Sequence, residues 1–219
     1  MTVSARILSL GQRLLLRLCE RRTVAGVLVG VVADNEAESA LAFERLDAAV
    51  SLIVRHDPRR GERLCRLVHA VLVTGLERHR LGSWWQSLRI VALRRSFVLG
   101  PDEGPERIAA ALVHESTHAW LEHLGFAYLR DRRARLEAIC CRSEIAFARK
   151  LPDPKDLVER ASVNLARSSD YWTDEAFTDR SLQALLDQGV PQWIVRWLRR
   201  RSERSRLTTT CSCQRGGGE

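Results

Sequence analysis

The cysteines of this 219-residue chain do not form the patterns that indicate a disulfide-stabilised or zinc-finger protein. Six are present, and none stands three positions from another, so the Cys-x-x-Cys pairs of zinc ribbons and fingers are missing. Cys140 and Cys141 are adjacent, and Cys211 and Cys213 are too close in sequence for an ordinary bridge. Such cysteine usage is typical of a protein kept in a reducing cytoplasm.

The sequence also lacks a convincing membrane-spanning run. Residues 23–33 are apolar over only 11 positions, whereas a transmembrane helix needs about 20. Residues 3–21 predict an amphipathic helix with Arg6, Arg13 and Arg17 on one face, which either covers the core or lies on a membrane surface. Because these arginines interrupt the hydrophobic residues instead of preceding them, a signal peptide is not expected. The expected location is the cytoplasm, with peripheral membrane contact as the alternative.

Lysine is scarce, since Lys150 and Lys155 are the only two among 35 basic residues. The net charge of +8 is concentrated near the carboxyl end, where residues 196–219 contain seven arginines and two glutamates. The remaining 195 residues therefore carry a net charge of only +3. A charge this small does not indicate the basic surface of a nucleic-acid-binding protein, and no specific nucleic-acid partner is expected.

The segment His114-Glu115-Ser116-Thr117-His118 lies in an apolar run that has the pattern of a buried helix. Residues four apart on a helix project from one face, so both imidazoles can bind one metal ion. The H-E-x-x-H spacing indicates zinc, and Glu115 is then directed toward a water on that metal. The alternative is a pair of core histidines beside a surface glutamate.

A third protein ligand is expected from a helix further along the chain. The segment 135–148 has a helical pattern, with Leu136 and Cys140 in its apolar stripe. It carries Glu137 and Glu144, which are seven residues apart and therefore lie on nearly the same face. One carboxylate can bind the metal while the other takes a hydrogen bond from a ligand histidine or an arginine. The alternative for both is a solvated face that pairs with neighbouring arginines.

These residues resemble the zinc site of the gluzincin branch of H-E-x-x-H metallopeptidases, over residues 85–150. The metzincin branch is excluded because Leu124 stands where its third histidine belongs, and because the only methionine is Met1. Gluzincins take their third ligand from a glutamate roughly twenty residues after the second histidine, which favours Glu137 over Glu144. The Gly-Ala-Met-Glu-Asn motif of large gluzincin aminopeptidases is missing, so the chain is similar to minimal, stand-alone metallopeptidase-like proteins of bacteria.

The resemblance implies a zinc-dependent peptide-bond hydrolase. Zn²⁺ on His114, His118 and Glu137 would lower the pKa of a bound water, and Glu115 would act as the general base. The group that stabilises the oxyanion stays open among Tyr128, Tyr171, Arg132 and Arg133. The alternative function is a catalytically silent zincin-fold binding or regulatory protein, including one that is itself peripheral to a membrane.

The resemblance also implies the architecture. The expected fold class is α+β and mostly helical, with a small twisted sheet packed on the H-E-x-x-H helix and a downstream glutamate helix that closes the metal site. One zincin-like domain is predicted over residues 1–206, followed by a disordered tail at 207–219. Within it, residues 1–33 form an N-terminal segment, residues 70–150 the metallopeptidase core and residues 154–206 the C-terminal helices.

The predicted sheet consists of a short strand at 70–74 and a longer strand at 88–99, separated by a turn that contains Gly82 and Ser83. In zincins the strand before the metal helix is the edge strand on which an extended peptide lies. We therefore expect a peptide or protein substrate to pair with the strand at 88–99.

Overall fold

The structure is a computed structural model that describes residues 19–75, 80–187 and 189–201. The chain divides into two compact units, Met1–Arg167 and Ser168–Glu219, whereas the sequence predicted one domain over residues 1–206. Most of the predicted helix at 3–21 and the predicted disordered tail at 207–219 lie outside the described residues.

The first unit contains a five-stranded mixed sheet with the strand order β1-β2-β3-β5-β4. The strands are β1 (Glu20–Val24), β2 (Val27–Val31), β3 (Ala70–Thr74), β4 (Gly82–Trp85) and β5 (Ile90–Arg94). The pairs β2–β3 and β3–β5 are parallel, whereas β1 and β4 pair antiparallel with their neighbours. Among the described strands, β4 pairs with β5 alone and therefore forms an edge of the sheet.

The helices of the first unit lie against this sheet and against one another. They are α1 (Glu36–His56), α2 (Pro58–Leu67), the single turn α3 (Arg95–Val98), α4 (Pro105–His123), α5 (Arg133–Ala148) and α6 (Lys155–Leu165). The predicted metal helix is α4, and the predicted glutamate helix is α5. The predicted fold class is confirmed at the level of an α+β, mostly helical protein with a small mixed sheet.

The ends of helix α4 and its buried face both follow from its sequence. It begins at Pro105, which needs no hydrogen-bond partner for its nitrogen in the first turn, and it ends before Gly125, whose φ of 85° terminates the helix. Ile108 and Leu112 are fully buried in the same cluster as Val91 of the sheet. Because one face of α4 packs on the sheet, the following turns, which carry His114 and His118, have a fixed orientation relative to the sheet.

The structure places a β-hairpin at the start of the described residues. Its strands β1 and β2 pair antiparallel from Glu20↔Val31 to Val24↔Val27. The two loop residues, Ala25 and Gly26, both have positive φ, which suits the twist of a two-residue hairpin. The predicted helix at 3–21 is therefore wrong over its last residues.

The prediction of one edge strand over residues 88–99 is wrong in extent and in position. The strand β5 covers only Ile90–Arg94, between a 3₁₀ turn at Gln86–Leu88 and the helical turn α3. It lies inside the sheet, paired with β3 on one side and β4 on the other. Its residues from Ile90 to Leu93 are all buried, since an interior strand covered on both faces is continuously apolar. The edge position belongs to β4, which the sequence predicted as a turn.

The second unit contains the helix α7 (Asp174–Asp187) and a helix α8 over 192–201. The hydroxyl of Thr173 accepts a hydrogen bond from the backbone N–H of Ala176 and so caps α7. The guanidinium of Arg180 lies 3.8 Å from the centre of the Tyr171 ring. No described helix in either unit combines the length and the apolar character that crossing a bilayer requires.

Candidate metal centre

The two histidines of the H-E-x-x-H segment lie on the face of α4 that meets α5. Their ring centroids are 5.3 Å apart, as expected for side chains separated by one helical turn. His114 and His118 are both largely buried, with 17% and 11% of their side-chain surface exposed. The helix therefore presents two imidazoles to the interior of the protein and not to bulk water.

Glu137 on α5 lies between these histidines. One carboxylate oxygen is 3.3 Å from Nε2 of His114, and the other is 3.7 Å from Nε2 of His118. Burial would raise the pKa of Glu137, but hydrogen bonds from the two histidines outweigh it and hold the pKa well below its usual range. The structure thus brings together His114, His118 and Glu137, the three residues predicted as metal ligands.

Glu144, the other candidate ligand, contacts a different nitrogen. Its carboxylate lies 3.1 Å from Nδ1 of His114, whereas Glu137 approaches Nε2 of the same ring. The seven-residue spacing puts both glutamates on the inner face of α5, but the position along the helix decides which nitrogen each one reaches. A carboxylate at Nδ1 orients the imidazole and leaves Nε2 available as a ligand.

Tyr128 closes one side of the site. Its hydroxyl donates a hydrogen bond to Glu137, and its ring lies edge-on to that of His118, with centroids 5.3 Å apart. Burial and the neighbouring Glu137 carboxylate raise the pKa of Tyr128, so the phenol keeps its proton and can act as a donor. The guanidinium of Arg133 lies 5.2 Å from the centre of the Tyr128 ring.

Glu115 lies next to the histidines and faces the edge strand. It is 9% exposed, and burial raises its pKa, although the nearby histidines partly oppose this effect. The backbone of Gly82 approaches it so closely that a Cβ built there would lie 3.2 Å from Cγ of Glu115. Glycine is thus the residue that lets β4 lie against the Glu115 side chain.

Two thiols border the same histidines. The sulfur of Cys140 and a ring nitrogen from each of His114 and His118 all lie within 4.8 Å of one another. The sulfur of Cys141 forms a similar group with His114 and Glu144. Both cysteines are buried on α5, where the sequence indicated only that Cys140 belongs to an apolar stripe.

A chain of hydrogen bonds joins helices α4 and α5 to each other. Thr117 Oγ1 on α4 donates to Ser143 Oγ on α5 at 3.0 Å, and Arg60 Nε on α2 donates to the same Ser143 at 3.1 Å. Arg60 also pairs with Asp57, which Lys150 Nζ contacts at 2.8 Å. The register of α4 against α5 is therefore held by polar contacts as well as by packing.

A cavity of about 120 Å³ opens beside the site. Glu115, His118 and Tyr128 line one part of it, and Ser83 and Trp84 of β4 line another. Trp84 is held in place because its indole N–H donates to a Glu122 carboxylate oxygen at 2.6 Å. The cavity connects the predicted catalytic glutamate with the edge of the sheet.

No sequence pattern predicts that Arg80 and the residues of β4 lie at the site. Arg80 lines the cavity, and its positive charge partly opposes the rise in the pKa of Glu115 and of Tyr128. The close approach of Gly82 to Glu115 is a tertiary contact, which a glycine before two tryptophans does not reveal. A strand of four residues is also too short to show a period-2 pattern.

The four candidates for the oxyanion-stabilising group have different surroundings. Tyr128 lines the cavity, and Arg133 lies over the Tyr128 ring. Arg132 is exposed in a 3₁₀ turn, where it pairs with Asp131. Tyr171 belongs to the second unit.

The donor set fits a zinc ion. Two imidazoles, a carboxylate and a buried thiol are nitrogen, oxygen and sulfur ligands that zinc accepts. Burial alone would lower the pKa of His118, but Cys140, Glu137 and Glu115 raise it to about 10. The negative potential that favours a proton on this imidazole also favours a divalent cation in its place.

Comparison of the chain with protein-family models, with curated proteins and with solved structures gives no match. Function is therefore inferred from the residues and their geometry.

Proposed function

We propose that this protein is a zinc-dependent peptide-bond hydrolase. The observation that carries the proposal is the position of the Glu137 carboxylate, which contacts Nε2 of both His114 and His118. Glu115 lies beside this group and lines the adjoining cavity. Two imidazoles, an acidic ligand from a second helix and a further carboxylate at an open cavity are the components of a gluzincin active site, which the sequence resembles.

His114, His118 and Glu137 would hold the metal, and Glu144 would fix the ring of His114 through Nδ1. When bound, zinc supplies a Lewis acid that polarises the substrate carbonyl and makes water a better nucleophile at neutral pH. These residues would supply three protein ligands, the number typical of catalytic zinc sites.

Glu115 acts as the general base. Its carboxylate takes a proton from the attacking water and returns it to the leaving amine. The buried position raises the pKa of Glu115, which makes the carboxylate a stronger base than an exposed glutamate. Gly82 leaves room for the Glu115 side chain, because a Cβ at this position would lie only 3.2 Å from its Cγ.

Tyr128 is the residue we assign to the oxyanion. Its phenol keeps its proton, lines the cavity and lies against His118, so it can donate a hydrogen bond at the reacting carbonyl. To do so its hydroxyl turns from Glu137, its present acceptor, toward the substrate. Arg80, on the same cavity, adds positive charge near the developing negative charge.

The substrate is an extended peptide that lies along β4. Ser83 and Trp84 of this edge strand line the cavity that contains Glu115, so a peptide in the cavity runs beside the strand. A peptide at this edge has its backbone next to the general base. The substrate-binding segment is thus Gly82–Trp85 and not residues 88–99.

The test compares wild-type protein with Glu115→Gln, matched for zinc content and thermal stability. Because losing a general base typically costs roughly 10²–10⁴ in rate, the variant should leave a peptide library uncut that the wild type digests. Glu106→Gln, an exposed position on the same helix, is the control and should cut like the wild type. If neither wild type nor control cuts with zinc bound, the protein is the alternative, a catalytically silent binding protein.

A further inference from the structure

Cys140 has the position of a metal ligand as well as that of a core residue. It follows Glu137 by three residues on α5, so both side chains lie on the same face one turn apart. It is 0% exposed, and its sulfur lies within 4.8 Å of a nitrogen of each histidine. Like other buried free cysteines, Cys140 packs in an apolar cluster, with Leu121 and Leu136, but its sulfur also borders the two imidazoles.

We propose that the Cys140 thiolate is a fourth protein ligand of the same metal, so that the resting site is closed. This inference rests on the metal site of the proposed function and adds a residue to it. His114 and His118 would come from α4, and Glu137 and Cys140 would come from α5. Paired ligands at i, i+4 and i, i+3 on two facing helices all project toward the space between those helices.

The chemistry of the donors favours this arrangement. On binding, the S–H bond of Cys140 breaks, the sulfur keeps the electron pair and donates it to the metal, and the proton passes to bulk water. Zinc forms strong bonds with thiolates, and sites with four protein ligands are closed to water. The substrate must then displace the Cys140 thiolate, which takes up a proton from bulk water again, so this thiol slows hydrolysis without preventing it.

Cys141 provides a matched control within the same helix. It is also buried, but its sulfur groups with His114 and Glu144 and so lies toward a residue that contacts Nδ1. Replacing either cysteine by serine removes one sulfur from a similar environment. Only the replacement of Cys140 should remove sulfur from the metal.

The experiment uses cobalt as a spectroscopic probe in place of zinc, in the full chain with Cys211→Ser and Cys213→Ser so that the tail offers no thiols. The starting protein should show a thiolate-to-cobalt charge-transfer band in the near ultraviolet. Cys140→Ser should lose this band while still binding about one cobalt per chain, and Cys141→Ser should keep it. X-ray absorption at the zinc edge of the starting protein should show one sulfur at about 2.3 Å, a measurement that does not depend on the folding of any variant.

Three results overturn the inference, and they differ in what they mean for the proposed function. Bound metal without a sulfur ligand, lost on His114→Ala, rejects Cys140 as a ligand and leaves the hydrolase proposal standing. A band that disappears in Cys141→Ser and persists in Cys140→Ser assigns the sulfur to the other cysteine. A chain that binds neither cobalt nor zinc at these histidines removes both proposals together.

Discussion

The carboxylate of Glu144 lies 3.1 Å from Nδ1 of His114, at the ring nitrogen that Glu137 does not contact. This pairing fixes the orientation of the imidazole and directs Nε2 toward Glu137. A carboxylate in this position also makes the imidazole a stronger ligand. In the proposed metal site, Glu144 would therefore orient a ligand histidine without being a ligand itself.

Replacing Glu144 should weaken metal binding without abolishing it. Loss of a group that orients a ligand histidine typically lowers metal affinity by about 10–100-fold, so Glu144→Leu should bind zinc correspondingly more weakly. Glu144→Gln keeps an oxygen acceptor and should lose less affinity. Competition with a chromophoric chelator measures both. Equal affinity in wild type and Glu144→Leu would show that the contact with Nδ1 does not support the site.

The zinc content of single variants should distinguish the metal ligands from the general base. The purified protein should carry about one zinc per chain. His114→Ala and His118→Ala should lose it, since each removes a ligand, whereas Glu115→Gln should retain it. Elemental analysis after gel filtration gives the ratio. Equal zinc in all three variants would place the metal elsewhere, with Cys211 and Cys213 as the next candidates.

Gly82 should be required for activity more than for metal binding. A Cβ at this position would lie 3.0 Å from Leu93 and 3.2 Å from Cγ of Glu115, so Gly82→Ala should displace the general base. Displacing a catalytic group by about 1 Å can cost about 10²-fold in rate, while zinc content stays near that of the wild type. Gly75→Ala is the control, because a Cβ there has no atom within 4 Å. Full cleavage by Gly82→Ala would mean that Glu115 tolerates a shift or takes no part.

Asp57 should make the stability of the protein depend on pH in the acidic range. Burial raises the pKa of Asp57, but hydrogen bonds from Lys150 and Arg60 outweigh it and keep the pKa below its ordinary value. A carboxyl with a lowered folded-state pKa contributes stability above its unfolded-state pKa of about 3.9, and loses it as pH falls through the folded value. Thermal unfolding between pH 7 and pH 3 measures this contribution.

Asp57→Asn tests the same contribution at neutral pH. Asparagine still caps α2 as aspartate does, so the expected loss of about 1–3 kcal/mol in unfolding free energy comes from the charge. The variant should also show a flatter dependence of stability on pH. Asp47→Asn, at an exposed position of α1, should leave both unchanged. A variant with wild-type stability at pH 7 would show that the ion pairs with Arg60 and Lys150 contribute nothing net.

The residues that could be predicted from the sequence are those whose positions depend on helix periodicity. His114 and His118 share a face because they are four apart, and Glu137 and Glu144 share one because they are seven apart. Periodicity alone did not decide which glutamate meets which nitrogen, since that depends on how far α5 slides along α4. The contacts of Thr117 and Arg60 with Ser143 set this register, and pairs so distant in sequence leave no local pattern.

The strands were less predictable because of their length and surroundings. The run at 70–74 is apolar up to Thr74 and forms β3 with the predicted bounds. Residues 88–99 contain apolar runs at 90–93 and 97–99, but the part after Arg94 turns into α3, where Arg45 donates to the carbonyl of Val98 at 2.8 Å. Apolar character shows that a segment is buried and does not show where a strand ends.

The polar chain from Thr117 to Asp57 joins α4 and α5 through contacts that need no metal. In a zinc finger, part of the free energy of metal binding is spent on ordering the chain. Here the ordering of α4 and α5 is already complete, because Ser143 joins both helices to Arg60. Chelation of the proposed metal should therefore leave a folded molecule that can take up metal again without refolding.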